Sequence, residues 1–234
     1  MSEQNFPPKI TTSDGSFIMS PKNDYAFRLL FGDEKNKEVT ISFLSALLNI
    51  PVEDINIKDP SVLKQAFADK SRIFEIRMFL ASGGQADVEV WLGNDPAIKE
   101  RVVPSLYNMT FSQFFSGERS GSVKKSLSLV ILDCNASQAE EMHTTYRLYD
   151  CENDIELSDS MEVHLFELPK LKSDGEQNKK SPEVLWLMFL NAATEEELRM
   201  AAEAEPKVAK AYDLLLEMSD DGENRRLYEE SISP

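Results

Sequence analysis

Glu75 and Glu89 stand on two alternating stretches that read as the arms of one β-hairpin, and carboxylates on neighbouring strands suit a hard divalent cation. In Ile73–Leu80 the even positions Phe74, Ile76, Met78 and Leu80 are apolar, while Glu75 and Arg77 sit among the odd ones. In Asp87–Leu92 the apolar Val88, Val90 and Leu92 alternate with Asp87, Glu89 and Trp91. Ser82-Gly83-Gly84-Gln85 between the arms is turn chemistry. If the apolar faces coincide, both glutamates point to the other face, where water and a phosphate would complete the octahedron of Mg²⁺. A two-residue Gly83-Gly84 turn would set odd positions against even ones, so a three-residue loop or a bulge is predicted. The plainer reading is a half-buried strand pair whose Glu and Arg form solvated cross-strand contacts.

Other elements must position this hairpin. Pro21-Lys22-Asn23-Asp24 opens a helical run through Phe27, Leu30 and Phe31 that Gly32 stops. A second helix is predicted from Glu34 to Asn49, with Val39, Phe43, Leu44, Leu47 and Leu48 on its core face. Val52, Ile55 and Ile57 suggest a short strand. Asp95–Ser116 reads as a helix that Pro104 interrupts or starts, with Gly117 as its stop. Ser126–Leu132 is a continuous apolar run, as in a central strand. Thr144–Asp150 and Met161–Leu168 read as two further strands, and short helices follow Ser181-Pro182, the capping box Thr194-x-x-Glu197, and Pro206. The expected organisation is a disordered leader over 1–19, an α/β domain over 20–170, a linker over 171–180 and a helical region over 181–234.

The net charge of −16 is unevenly spread. Asp133–Glu167 nets −9 and Glu195–Pro234 nets −7, whereas residues 1–132, which hold the hairpin, are nearly neutral. Such a surface does not seek phosphate by its own charge, but bound cations can supply the positive charge a nuclease needs. The acidic stretches are expected to lie away from the Glu75/Glu89 face. Two cysteines, Cys134 and Cys151, make no disulfide framework, the first residues carry no export signal, and no apolar run is long enough to span a membrane. A cytoplasmic setting is expected.

Several motifs, in order, resemble the PD-(D/E)XK nuclease-fold transposase family, the recombination-promoting nucleases. The block Pro21-Lys22-Asn23-Asp24-Tyr25-Ala26-Phe27-Arg28-Leu29-Leu30-Phe31-Gly32 is the most specific. Lys70–Ile76, Asp87–Trp91, Arg101–Gln113 with Gly117, Phe166–Lys170 and Trp186-x-x-Phe189-Leu190 are similar to its later blocks. The resemblance implies a restriction-endonuclease-like core, a mixed central sheet flanked by helices, with a C-terminal helical appendage. It implies Mg²⁺- or Mn²⁺-dependent hydrolysis of DNA, with Glu75, Glu89 and Asp24 as metal ligands. Trp91 falls at the third catalytic position, where the family has Gln. There the sequence departs: an indole offers one N–H donor and no acceptor, so it can neither orient nor polarise water as Gln would. Glu75 in place of Asp adds a methylene, and Pro104-Ser105 replaces an aromatic pair. Arg77 and Gln113 are candidates to supply the missing donor. The alternative is an inactive nuclease-fold protein that binds DNA or protein. A homodimer is one arrangement open to the chain.

Other chemistries find little support. His143 and His164 are too few and too far apart in sequence for a metal cluster and read as ordinary strand residues. Ser82-Gly83-Gly84 lacks the strand-to-helix context of a phosphate-binding loop.

Overall fold

The computed structural model describes residues 9–57, 74–82, 84–114, 123–172 and 181–232. Its six strands are β1 (Val52–Ile57), β2 (Phe74–Leu80), β3 (Gln85–Gly93), β4 (Lys125–Leu132), β5 (His143–Asp150) and β6 (Ile155–Glu167), in the order β1-β2-β3-β4-β6-β5. The joints β1/β2, β2/β3 and β5/β6 are antiparallel, while β3/β4 and β4/β6 are parallel. Parallel neighbours need a crossover, and the β3-to-β4 crossover carries helix α3 (Ile98–Ser112).

Alternation fixes the β2–β3 register. Glu75 pairs with Glu89, Ile76 with Val88 and Arg77 with Asp87, so even opposes even. The Leu80 N–H donates to the Gly84 carbonyl at 2.9 Å, leaving the three residues 81–83 between the paired arms. The apolar faces therefore agree.

The sheet has two different sides. Ile76, Met78, Val88, Val90 and Leu92 join Leu127, Leu129, Ile131 and Phe166 in the large core. Onto it pack α1 (Asp24–Phe31), α2 (Lys37–Leu48), α4 (Pro182–Asn191), α5 (Glu195–Ala204), α6 (Pro206–Asp220) and α7 (Gly222–Ser231). Phe27, Phe31, Phe43 and Trp186 form its aromatic centre, with ring centroids 4.5–5.9 Å apart. The C-terminal helices thus share one core with the sheet. The acidic Glu195–Ser231 helices lie on this side, away from the face that carries Glu89. That other face is covered by α3 over a smaller core of Trp91, Ile98, Val102, Val130, Leu132 and Leu165.

Local signals place the helices. The Asn23 side chain caps α1 by accepting from Tyr25 N–H at 2.9 Å and Ala26 N–H at 3.2 Å. Thr194 and Glu197 complete the capping box of α5. Helix α3 continues through Pro104 instead of breaking there, because Pro104 and Glu100 are exposed and the carbonyl freed by the missing N–H faces water. Gly117, its expected stop, lies outside the described residues, as does 173–180 of the expected linker. Within the leader expected to be disordered, the described residues Ile10, Ile18 and Met19 take fixed places. Ile10 pairs with Ile18 and both are buried with Met19, because this short hairpin gives its apolar residues a place in the core. Ser20 N–H donates to the Tyr228 hydroxyl at 3.0 Å, and burial pushes that phenol up to about 12. The Phe166–Lys170 motif is a clasp: Lys170 Nζ reaches Glu167 at 2.5 Å and the Ala139 carbonyl at 2.6 Å, while Glu167 accepts from Ala136 and Ser137 N–H.

His143 and His164, distant in sequence, are brought together by the β5/β6 pairing, with Nε2 and Nδ1 3.0 Å apart. Glu183 lies 2.7 Å from His143, and Glu162, 3.2 Å from His164, also pairs with Lys125 and Arg147. Burial, helped by His143, holds the His164 imidazole down to about 4. The unfolded chain takes up this proton near pH 6.5, and the folded one excludes it until about pH 4. The contribution is therefore complete above about pH 6.5 and is lost as pH falls towards 4, up to about 3 kcal/mol. The urea midpoint of the natural protein is expected to fall between pH 7 and pH 4.5 more steeply than that of His164→Gln. Equal slopes would contradict this.

Candidate functional site

The face under α3 is built in rows across the sheet. Register aligns Arg77, Asp87 and Ser126 in one row and Glu75, Glu89 and Ser128 in the next. Trp91, Val130 and Leu165 follow in an apolar row. The two glutamates thus sit directly opposite each other where charged residues give way to core.

Glu89 is 1% exposed, and each of its carboxylate oxygens is held. Ser105 Oγ, from α3, donates to Oε2 at 2.6 Å, and Ser128 Oγ, from β4, donates to Oε1. Burial pushes the Glu89 carboxyl above its ordinary range, and the nearby Glu75 carboxylate pushes the same way. The two hydroxyls oppose both effects by stabilising the charged form. Glu75 is half-buried and forms the more open side of the pair.

Trp91 is 2% exposed and belongs to the core between β3 and α3. Its Nε1–H has no hydrogen-bond partner, yet it lies near enough to Glu89 to favour the carboxylate weakly. The third position is therefore filled by packing and presents no acceptor. Both candidate substitute donors have partners on this face. The Arg77 guanidinium pairs with buried Asp87 at 2.8 and 3.1 Å. Gln113 spends its amide on Lys124 N–H at 2.8 Å, the Lys124 carbonyl at 3.2 Å and Ser126 Oγ at 3.2 Å, tying the end of α3 to the start of β4.

Asp24 opens α1, which packs against α2, α6 and α7 on the large-core side. Ser105, Ser128, Trp91 and Glu75 act on Glu89. Among the described residues no group of three acids, His or Cys is assembled that could hold a metal. Ser105 and Ser128 escaped the sequence reading. The signal for Ser128 was present: Ser126-x-Ser128 breaks the apolar run on the parity that faces Glu89.

A mixed sheet with helices on both sides and two acids paired on adjacent antiparallel strands defines a PD-(D/E)XK, restriction-endonuclease-like protein. More narrowly, the chain belongs to the PD-(D/E)XK nuclease family transposases, whose family model matches residues 21–233. No curated protein and no solved structure matches it. No helix among the described residues is long and apolar enough to cross a membrane.

Ser128 is fully buried and Ser105 half-buried, so their loss should differ. Ser128→Ala removes a donor from a carboxylate oxygen at a fully buried position and is expected to cost about 1–3 kcal/mol. Ser105→Ala, where water can take over, is expected to cost less. Urea unfolding of both variants checks this, and equal losses would contradict it.

Proposed function

We propose that the chain is a metal-dependent DNA endonuclease in which Glu75 and Glu89 hold a divalent cation, Mg²⁺ or Mn²⁺. The observation that carries this reading is the direct Glu75–Glu89 pairing across β2 and β3. The donors fit: all are hard oxygens, and Mg²⁺ is commonly held by one or two carboxylates with substrate phosphate and water making up the rest. Buried Glu89 beside Glu75 is a concentration of negative charge that a cation would neutralise. Such an ion supplies Lewis acidity, stabilising charge at the scissile phosphate and acidifying water. Ser105 and Ser128 favour the charged form of Glu89 and fix its direction. Glu75, on the open side, faces the approach of the DNA backbone. The acidic C-terminal helices leave that approach clear. A reducing, cytoplasmic setting belongs to the same proposal and agrees with free Cys134 and Cys151.

One observation favours a second reading, an inactive nuclease-fold module that binds DNA or protein. Trp91 is packed into the core and cannot orient water as Gln or Lys would. Losing one well-placed polar group at such a position commonly costs about 10²–10⁴ in rate.

Weak nicking of supercoiled plasmid with Mg²⁺ or Mn²⁺, abolished in Glu89→Ala, is the expected result. Trp91→Gln adds a polar group beside Glu89 but empties part of the core, at a cost on the order of 3–5 kcal/mol for a truncation of this size. Its rate must therefore be read together with its melting temperature. Robust nicking by the natural protein that disappears in Glu89→Ala would show that Trp91 does not limit the reaction. No nicking by any variant would put the binding module first.

A further inference from the structure

His143 and His164 stand apart from the glutamate pair. His164 lies opposite Leu129, on the sheet face of the large core, whereas Glu89 lies opposite Ser128 on the other face. Strand pairing sets His164 of β6 beside Thr145 of β5, and His143 follows two residues along, opposite Phe166. The His143 ring stacks on Phe166, with centroids 4.2 Å apart and planes 27° from parallel, and His164 is 7% exposed. Packing therefore fixes both imidazoles.

Each ring turns one nitrogen towards the other ring and one towards a carboxylate. Glu183 Oε1, from α4, lies 2.7 Å from His143 Nδ1, and Glu162 Oε2 lies 3.2 Å from His164 Nε2. Carboxylates at this range place the ring protons on those outer nitrogens. The inner nitrogens, His143 Nε2 and His164 Nδ1, then turn lone pairs towards each other across 3.0 Å. Something positive belongs at that contact, a proton or a metal ion. Thr145 Oγ1 lies 3.5 Å from both inner nitrogens, so three lone-pair atoms converge where a shared proton would need only two. Two nitrogens held at 2.0–2.1 Å from one ion, at angles of about 90–110°, stand roughly 2.9–3.4 Å apart. The observed spacing fits an ion.

The surroundings agree. A histidine that ligates a metal commonly gives its other N–H to a carboxylate, which fixes tautomer and ring. Glu183 Oε1 is buried and, for all its closeness to His143, has no aligned hydrogen bond among the described residues, so a cation there would offset its charge. Glu162 is already matched by Lys125 at 2.8 Å and Arg147 at 2.7 Å, and serves to orient His164. We propose that His143, His164 and Thr145 form a metal site of their own, for a borderline divalent ion of the Zn²⁺ class. Imidazole nitrogen suits such an ion, whereas Mg²⁺ seeks oxygen, so this site and the glutamate pair select different metals. No further acid, His or Cys converges on the pair among the described residues, and solvent takes the remaining positions. A cavity of about 640 Å³ walled by Ser42, Ser45, Ser181, Glu183, Glu205 and His143 gives access. The bound ion pins edge strand β5 to β6 and, through Glu183, to α4. The two sites lie on opposite faces of the sheet, so either reading can fail without the other.

Equilibrium dialysis of the full chain against Zn²⁺, with millimolar Mg²⁺ present throughout, tests the proposal. The natural protein is expected to retain one Zn²⁺ per chain more than His143→Gln or His164→Gln. Glu183→Gln should weaken this Zn²⁺ about 10- to 100-fold, the range for losing a carboxylate behind a ligating histidine. The His143→Gln difference should persist when Glu89 is changed to Ala, and again when Cys134 and Cys151 are both changed to Ser. Circular dichroism checks that each variant is folded, and His143, with a side chain 24% exposed, carries the test if buried His164 tolerates no change. A natural chain that retains no more Zn²⁺ than His143→Gln would overturn the proposal, as would a difference that vanishes in either background. An N–H–N proton shared by the two rings, seen by NMR and persisting under saturating Zn²⁺, would also overturn it and assign the contact to a proton.

Discussion

The register of β2 on β3 is the constraint on which the rest of the molecule depends. With β3 held by β4, a slip of β2 by one residue would turn Ile76 and Met78 out of the large core and drive Glu75 into it, away from Glu89. Burial on one face therefore specifies the pairing of acids on the other. The core built by α1, α2 and α4–α7 holds the register, and the glutamate pair is its consequence. Stability and site are set by one choice.

Keeping a carboxylate at the Glu89 position is costly without compensation, since burial disfavours its charged form. Two neighbours supply the compensation from two directions. Ser128 arrives by the β3/β4 register and Ser105 by the packing of α3. The same helix carries Ile98 and Val102 into the small core around Trp91. Site and small core are thus joined through one element.

Much of this was legible in the sequence because it rests on local patterns. The alternation of Ile73–Leu92 gave the hairpin, its longer loop and the shared face of Glu75 and Glu89. Asn23, Gly32 and the Thr194–Glu197 box marked helix ends. What was hidden depends on contacts between distant segments. Ser105 meets Glu89 only because α3 lies over β3, and His143 meets His164 only because β5 pairs with β6. Arg77 and Gln113 looked like spare donors in the sequence, but packing gives each a partner of its own. The burial of Ile10, Ile18 and Met19 was hidden for the same reason: these residues gain their places only from the core they join.

The central claim is that Glu75 and Glu89 share a divalent cation. Anomalous diffraction from crystals grown with Mn²⁺ tests it most directly. One strong peak is expected between the two side chains, within about 2.0–2.4 Å of an oxygen from each. A peak bound elsewhere, or none at the pair under saturating Mn²⁺, would contradict it.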